Sequence, residues 1–144
     1  MPVELRLLGG VTVLHGGAAT RVALERPVSL LVRLAVAGEW VERAELARLY
    51  RPDTPEAEAL TYVRKLVFRA RRYAWASTLE VTADALRWQV STDVARFAVA
   101  AASRDWAGAV TEYGGRFLGG ASLGGAPSFE AWREAEDRAL EAVL

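Results

Sequence analysis

The side chains whose types and spacing could do chemistry lie between Pro55 and Tyr73, in PEAEALTYVRKLVFRARRY. Placed on a helix at about 100° per residue, Thr61, Arg64, Lys65, Phe68, Arg69, Arg71 and Arg72 fall on one side. Ala59, Leu60, Val63, Leu66, Val67, Ala70 and Tyr73 fall on the other. Cations and an aromatic ring raised opposite a stripe that buries itself suit the groove of a nucleic acid. Guanidinium and ammonium groups neutralise phosphates or pair with guanine O6 and N7, and an apolar group can meet a thymine methyl. Thr61, Arg64, Lys65 and Phe68 lie mid-helix and are the candidates for base edges; Arg69, Arg71 and Arg72 are candidates for phosphates. A solvated cationic face accounts for the same charges when the helix is taken alone. Phe68 has three readings: a contact on the open face, packing under a neighbouring hairpin, or stacking on an arginine.

Other chemistries lack their parts. There is no cysteine and a single histidine, His15, beside Gly16-Gly17 in an expected hairpin, where it reads as a surface turn residue. Zinc clusters, disulfides, cysteine nucleophiles and Ser-His-Asp arrangements are therefore missing members. The glycine pairs at 114–115, 119–120 and 124–125 lack the strand, helix and lysine that a phosphate loop needs, and read as turns or linker. Carboxylates Glu130, Glu134, Asp137 and Glu141 recur at helical spacing without a histidine, the pattern of a solvated face. No enzyme activity, cofactor or metal is expected. No apolar run approaches the length of about 18 residues that would span a membrane, and the start MPVELRLLGG lacks a signal-peptide pattern. A cytoplasmic protein without membrane contact is expected.

The formal net charge of zero hides an asymmetry: residues 1–93 hold thirteen Lys+Arg against eleven Asp+Glu, and residues 94–144 five against seven. The basic excess falls on the outer arc of the helix above, the acidic excess toward the C-terminus.

The neighbouring segments must position that arc. Val3 to Leu8, Val11 to Leu14 and Thr20 to Leu24 read as strands of a small antiparallel sheet, turned at Gly9-Gly10 and Gly16-Gly17. Pro27 opens a helix that buries Leu30, Leu31 and Leu34 and stops at Gly38. Glu42 to Tyr50 is a second, short helix. Thr54 is the expected N-cap of the long helix, with Pro55 at its first position and Glu56 and Glu58 near its positive end. Leu79 to Thr82 and Leu86 to Val90 alternate around Ala83-Asp84-Ala85 as a hairpin, with Leu79, Val81, Leu86, Trp88 and Val90 on one face and Glu80, Thr82, Arg87 and Gln89 on the other. A hairpin after three helices is a wing, from which Arg87 could reach a backbone or groove. From Thr92 the chain turns alanine-rich. Thr92 or Asp93 caps a helix carrying Phe97, Asp105 opens another through Trp106, Ala109, Val110 and Tyr113, and a glycine-rich loop precedes a helix from Ser128 to Leu144. That last helix places Phe129, Trp132, Leu140 and Val143 on one stripe.

This order of elements resembles the antibiotic-regulatory-protein type of bacterial transcription factor. That family joins an OmpR-type winged helix-turn-helix to a bacterial transcriptional activator domain of tetratricopeptide-like hairpins. VELRLLGGVTVL resembles its opening sheet, and Val63-Arg64 and Ala70-Arg71 approximate its spaced Leu-Arg pattern. Asp93, Val94 and Phe97 match the opening of its second domain. Ala109, Tyr113, Gly115, Phe117 and Leu118 match the next motif, and Phe129, Glu130, Trp132 and Glu136 the last. Tyr50 stands where the family usually has tryptophan, Ala70 where it has leucine, and Phe68 where it has a small polar residue. The family's second domain also runs through more helices.

The resemblance implies an α+β chain: a winged-helix DNA-binding domain over residues 1–91 and a partial tetratricopeptide-like region over 92–144. It implies a sequence-specific transcriptional regulator, with helix 55–73 in the major groove, hairpin 79–90 as wing, promoter DNA as partner and RNA polymerase as a further one. Because such repeats seldom bury their faces alone, the stripe Phe129, Trp132, Leu140 and Val143 must pack back on the chain, pair with a second copy as a homodimer, or meet another partner; self-association is the expectation. The rival reading, motivated by the neutral charge, the acidic last helix and Phe68, is a winged-helix interaction or scaffolding module that does not read DNA.

Overall fold

A computed structural model describes residues 2–144. In chain order the elements are β1 (Val3–Arg6), β2 (Thr12–His15), β3 (Ala18–Arg21), α1 (Arg26–Ala37), β4 (Val41–Glu42), α2 (Arg43–Tyr50), α3 (Glu56–Ala70), β5 (Glu80–Val81), β6 (Ala85–Arg87), β7 (Ser91–Thr92), α4 (Asp93–Ala102), α5 (Trp106–Glu112) and α6 (Pro127–Val143). Among the described residues these make a mixed α+β fold of six α-helices and two sheets. The chain divides into two compact units, and one of the breaks between them, Gln89 to Val90, falls beside the expected residue 91. One holds the chain up to Ala23, Val90–Ser122 and Trp132–Leu144; the other holds Leu24–Gln89 and Leu123–Ala131.

In the first unit the sheet runs β3-β2-β1-β7, with β1 antiparallel to β2 and parallel to β7. Gly16 and Gly17, at φ of +61° and +79°, make the two-residue turn between β2 and β3, where both central residues need positive φ. So tight a turn lets pairing begin at once, His15 against Ala18, and the third strand is Ala18–Arg21, earlier than the expected Thr20 to Leu24. His15 accordingly closes β2 and is not in the turn.

Thr92, not Asp93, caps α4: its hydroxyl accepts from the Ala95 N–H at 3.0 Å. Asp93 instead turns toward the sheet, its two carboxylate oxygens accepting from the Leu7 and Leu8 N–H groups at 2.8 and 3.0 Å. Burial pushes its carboxyl above the ordinary value against those hydrogen bonds. Arg96 joins the helical hairpin to β1, donating to Glu112 at 3.0 Å and to Glu4 at 3.2 Å. The glycines at 114–120 are no open linker. Gly9 N–H donates to Arg116 O at 2.8 Å and a bridge joins Leu8 to Phe117. A Cβ on Gly9, at φ +102°, would stand 2.9 Å from Gly114 O, so only glycine allows the two backbones to meet.

Asp137 departs from the solvated face expected for it. It is buried, and accepts from Arg116 Nη2 at 2.9 Å and from the Phe117 N–H at 3.1 Å. Trp132 is half-buried, edge-on to Phe117 at 5.6 Å between ring centroids, and Leu140 is buried.

In the second unit α1 ends at Gly38, in the left-handed conformation with its N–H on Leu34 O, as the sequence anticipates. Val41–Glu42, expected to lead into or open a helix, is the short strand β4, and β4-β6-β5 form the second sheet, with Val41 opposite Leu86 and Glu80 opposite Arg87. Leu30, Leu31, Leu34, Leu46, Tyr50, Val63, Leu66, Leu86 and Trp88 are buried. Ser29 has one hydroxyl proton, donated to Arg26 O at 2.7 Å, so Tyr50 donates to Ser29 in their 2.8 Å contact. Phe129 is fully buried and stacks on Tyr50, centroids 6.1 Å apart. Of the stripe assigned to self-association, Phe129 and Leu140 are thus covered within the chain and Trp132 partly so; Val143 alone of the four is exposed. Self-association through this stripe would therefore have only Trp132 and Val143 to work with.

Candidate nucleic-acid interface

Helix α3 owes its placement to Ala59, Val63, Leu66, Val67 and Ala70, all buried, while Leu60 and Tyr73 are half-buried. Its start differs from the expected one. Pro55 occupies the cap position and no side chain caps the helix; Thr54, one residue too early, belongs to the turn from Arg51. Its end differs too. Hydrogen bonds from Arg72 N to Arg69 O and from Tyr73 N to Ala70 O tighten the chain into a turn, and the helix stops at Ala70. Tyr73 then stacks on Trp75 at 4.7 Å. Arg71 and Arg72 are therefore displayed by the turn that follows the helix.

The outer arc is open. Arg64, Lys65, Phe68, Arg69, Arg71 and Arg72 are exposed, and Phe68 leaves 69% of its surface uncovered. That excludes packing under the hairpin. Thr61 is half-buried, and its hydroxyl donates to Ala57 O at 3.1 Å, which leaves its methyl and a lone pair for a partner.

Arg87 stands apart from this group. Its Nε and Nη2 donate to Glu80 at 2.7 and 2.8 Å, and its guanidinium lies 4.6 Å from the centre of the Trp40 ring. The hydrogen bonds from Arg87 hold the Glu80 carboxyl below its ordinary range. Arg87, assigned from sequence to a DNA backbone or groove, is a cross-strand partner that braces the β5–β6 hairpin, because the β5–β6 register sets it opposite Glu80.

The residue that sequence reasoning missed is Arg43. Its backbone N–H donates to Asp84 O at 2.8 Å and its Nε to Thr82 O at 3.1 Å, tying the start of α2 to the hairpin tip. The same side chain joins Arg64, Val67, Phe68, Arg71, Arg72 and Val81 around a hollow of about 510 Å³. Only the pairing of β4 with β6 brings Arg43 there, and no periodicity in the sequence signals it. Its lining thus combines two valines and Phe68 with four arginines.

In class, the chain has a mixed α+β fold that a solved protein shares. It is similar to Mycobacterium tuberculosis EmbR, solved in complex with a low-affinity phosphopeptide, with a TM-score of 0.68 and 17% identity over 98% of this chain. The chain spans 43% of the length of that EmbR chain. No protein-family model and no curated protein matches it in sequence. Among the described residues no helix is long and apolar enough to cross a membrane.

Proposed function

We propose that the chain is a sequence-specific, DNA-binding transcriptional regulator of winged-helix type, acting in the cytoplasm on promoter DNA. The observation that carries this reading is the open arc of Arg64, Lys65, Phe68, Arg69, Arg71 and Arg72 on and just after one helix, beside a hairpin joined to the start of α2. In this reading α1, α2 and α3 are the helix-turn-helix, α3 enters the major groove, and β5–β6 is the wing. Arg64 and Lys65 reach base edges; Arg69, Arg71 and Arg72 hold phosphates. The fold likeness to EmbR supports a regulator of the family that the sequence resembles. The α4–α5 hairpin is then the first hairpin of the tetratricopeptide-like region.

The test is selection of bound duplexes from a random library, followed by binding of the best site to the wild-type chain and to Arg64→Ala with Lys65→Ala. The double variant should lose at least about tenfold in affinity for the selected site, since a good base contact is worth about 1–3 kcal/mol, and should approach the affinity of random DNA. Unchanged affinity, or a failure of any duplex to outbind random DNA at moderate salt, would overturn the reading.

A further inference from the structure

Resting on that DNA-binding reading, we infer that Phe68 is a specificity-determining residue which reads the C5-methyl group of a pyrimidine in the major groove. Phe68 is 69% exposed, although burial of its ring would be the favourable outcome for a residue with no partner outside the chain. Among the described residues no cation or second ring stacks on it. It projects from the same helix as Arg64, one turn further on, and lines a hollow together with Val67, Val81 and Arg71.

An aromatic ring has no hydrogen-bond donor or acceptor, so it cannot pair with a base edge. In the major groove the apolar feature a base pair presents is the C5-methyl group of thymine, and 5-methylcytosine offers the same group. The flanking arginines favour an anionic partner, such as a phosphate backbone, beside the ring. Four residues of helix span about 6 Å along the axis, less than two base-pair steps of about 3.4 Å. The methyl read by Phe68 therefore lies within about three base pairs of the base contacted by Arg64.

The experiment takes the duplex selected by the full chain, replaces each thymine singly by deoxyuridine and each cytosine singly by 5-methylcytosine, and titrates each duplex with wild type and Phe68→Ser. Phe68 is exposed, so the variant keeps the fold, which its far-UV circular dichroism checks. One thymine-to-uracil change near the base sensitive to Arg64→Ala should weaken wild-type binding about four-fold, the worth of one buried methyl group, and leave Phe68→Ser indifferent. If the methyl comes from 5-methylcytosine, one cytosine methylation tightens wild type by a similar factor and again leaves the variant indifferent. Equal responses of wild type and Phe68→Ser at every position overturn the inference while leaving DNA binding intact. Absence of any preferred duplex overturns both.

Discussion

An arginine on a wing reads from sequence as a DNA contact, yet the guanidinium of Arg87 is already spent on Glu80 and the face of Trp40. Its partner fixes its role: cross-strand neighbours of opposite charge pair when the register sets them face to face. Replacing Arg87 by alanine should change affinity for the selected duplex by no more than about two-fold, the spread of a neutral surface substitution. A tenfold loss in a mobility-shift titration would return Arg87 to the interface. Phe68 is the converse case. Helical phase placed it on the outer arc, and the ring is in fact exposed there, which excludes packing as its role.

At the scale of elements, two carboxylates tie helices to the backbone of neighbouring segments. Asp93 satisfies the Leu7 and Leu8 N–H groups with one oxygen each. An amide can present only one oxygen and would face the other donor with its own NH₂. Asp93→Asn should therefore destabilise the chain by about 1–3 kcal/mol, the cost of an unsatisfied buried donor, measured by urea denaturation followed through tryptophan fluorescence. Asp137 has a different sign. Burial pushes its carboxyl up, but the Arg116 hydrogen bond and the Phe117 N–H outweigh it, and the group is held below its ordinary value of 3.8. A depressed carboxyl contributes stability that is fully present above its unfolded value and lost as pH falls through its folded one. The destabilisation caused by Asp137→Asn should be full at neutral pH and shrink on acidification below about pH 4, where the unfolded carboxyl protonates. A penalty unchanged down to pH 2 would refute this assignment.

For the whole molecule, zero net charge and DNA binding are compatible because the cations are local. Glu56 and Glu58 sit at the start of α3, whereas Arg69, Arg71 and Arg72 gather at its other end. Binding should accordingly fall with salt, and the triple alanine variant at Arg69, Arg71 and Arg72 should reduce the slope of log affinity against log salt by roughly three, about one counterion per phosphate contact. It should weaken selected and random duplexes alike. A slope that does not move would show that these arginines touch no phosphate.

Much of the chain was legible from local rules. The first two strands, the hairpin after α3, the helix from Pro27 to Gly38, the Asp105 start and the burial of Val63, Leu66 and Val67 follow from two-residue and 3.6-residue periods and from glycine and proline punctuation. Those rules act between residues near one another in sequence. They also determined that the cations of α3 face away from its apolar stripe, since helix geometry alone sets that angle. The rest depended on partners far along the chain. Asp93 reads as a helix cap and Asp137 as a surface carboxylate until backbone donors 20 or more residues away are brought to them. The opening strands group with the segment after Gln89 because β7 pairs with β1. Phe129 left the expected dimer stripe because Tyr50 covers it. Arg43 entered the candidate interface only through β4. A sequence determines which side chains a local segment will turn outward; which of them meet, and which are already taken, is decided by tertiary contacts whose energies no local pattern encodes.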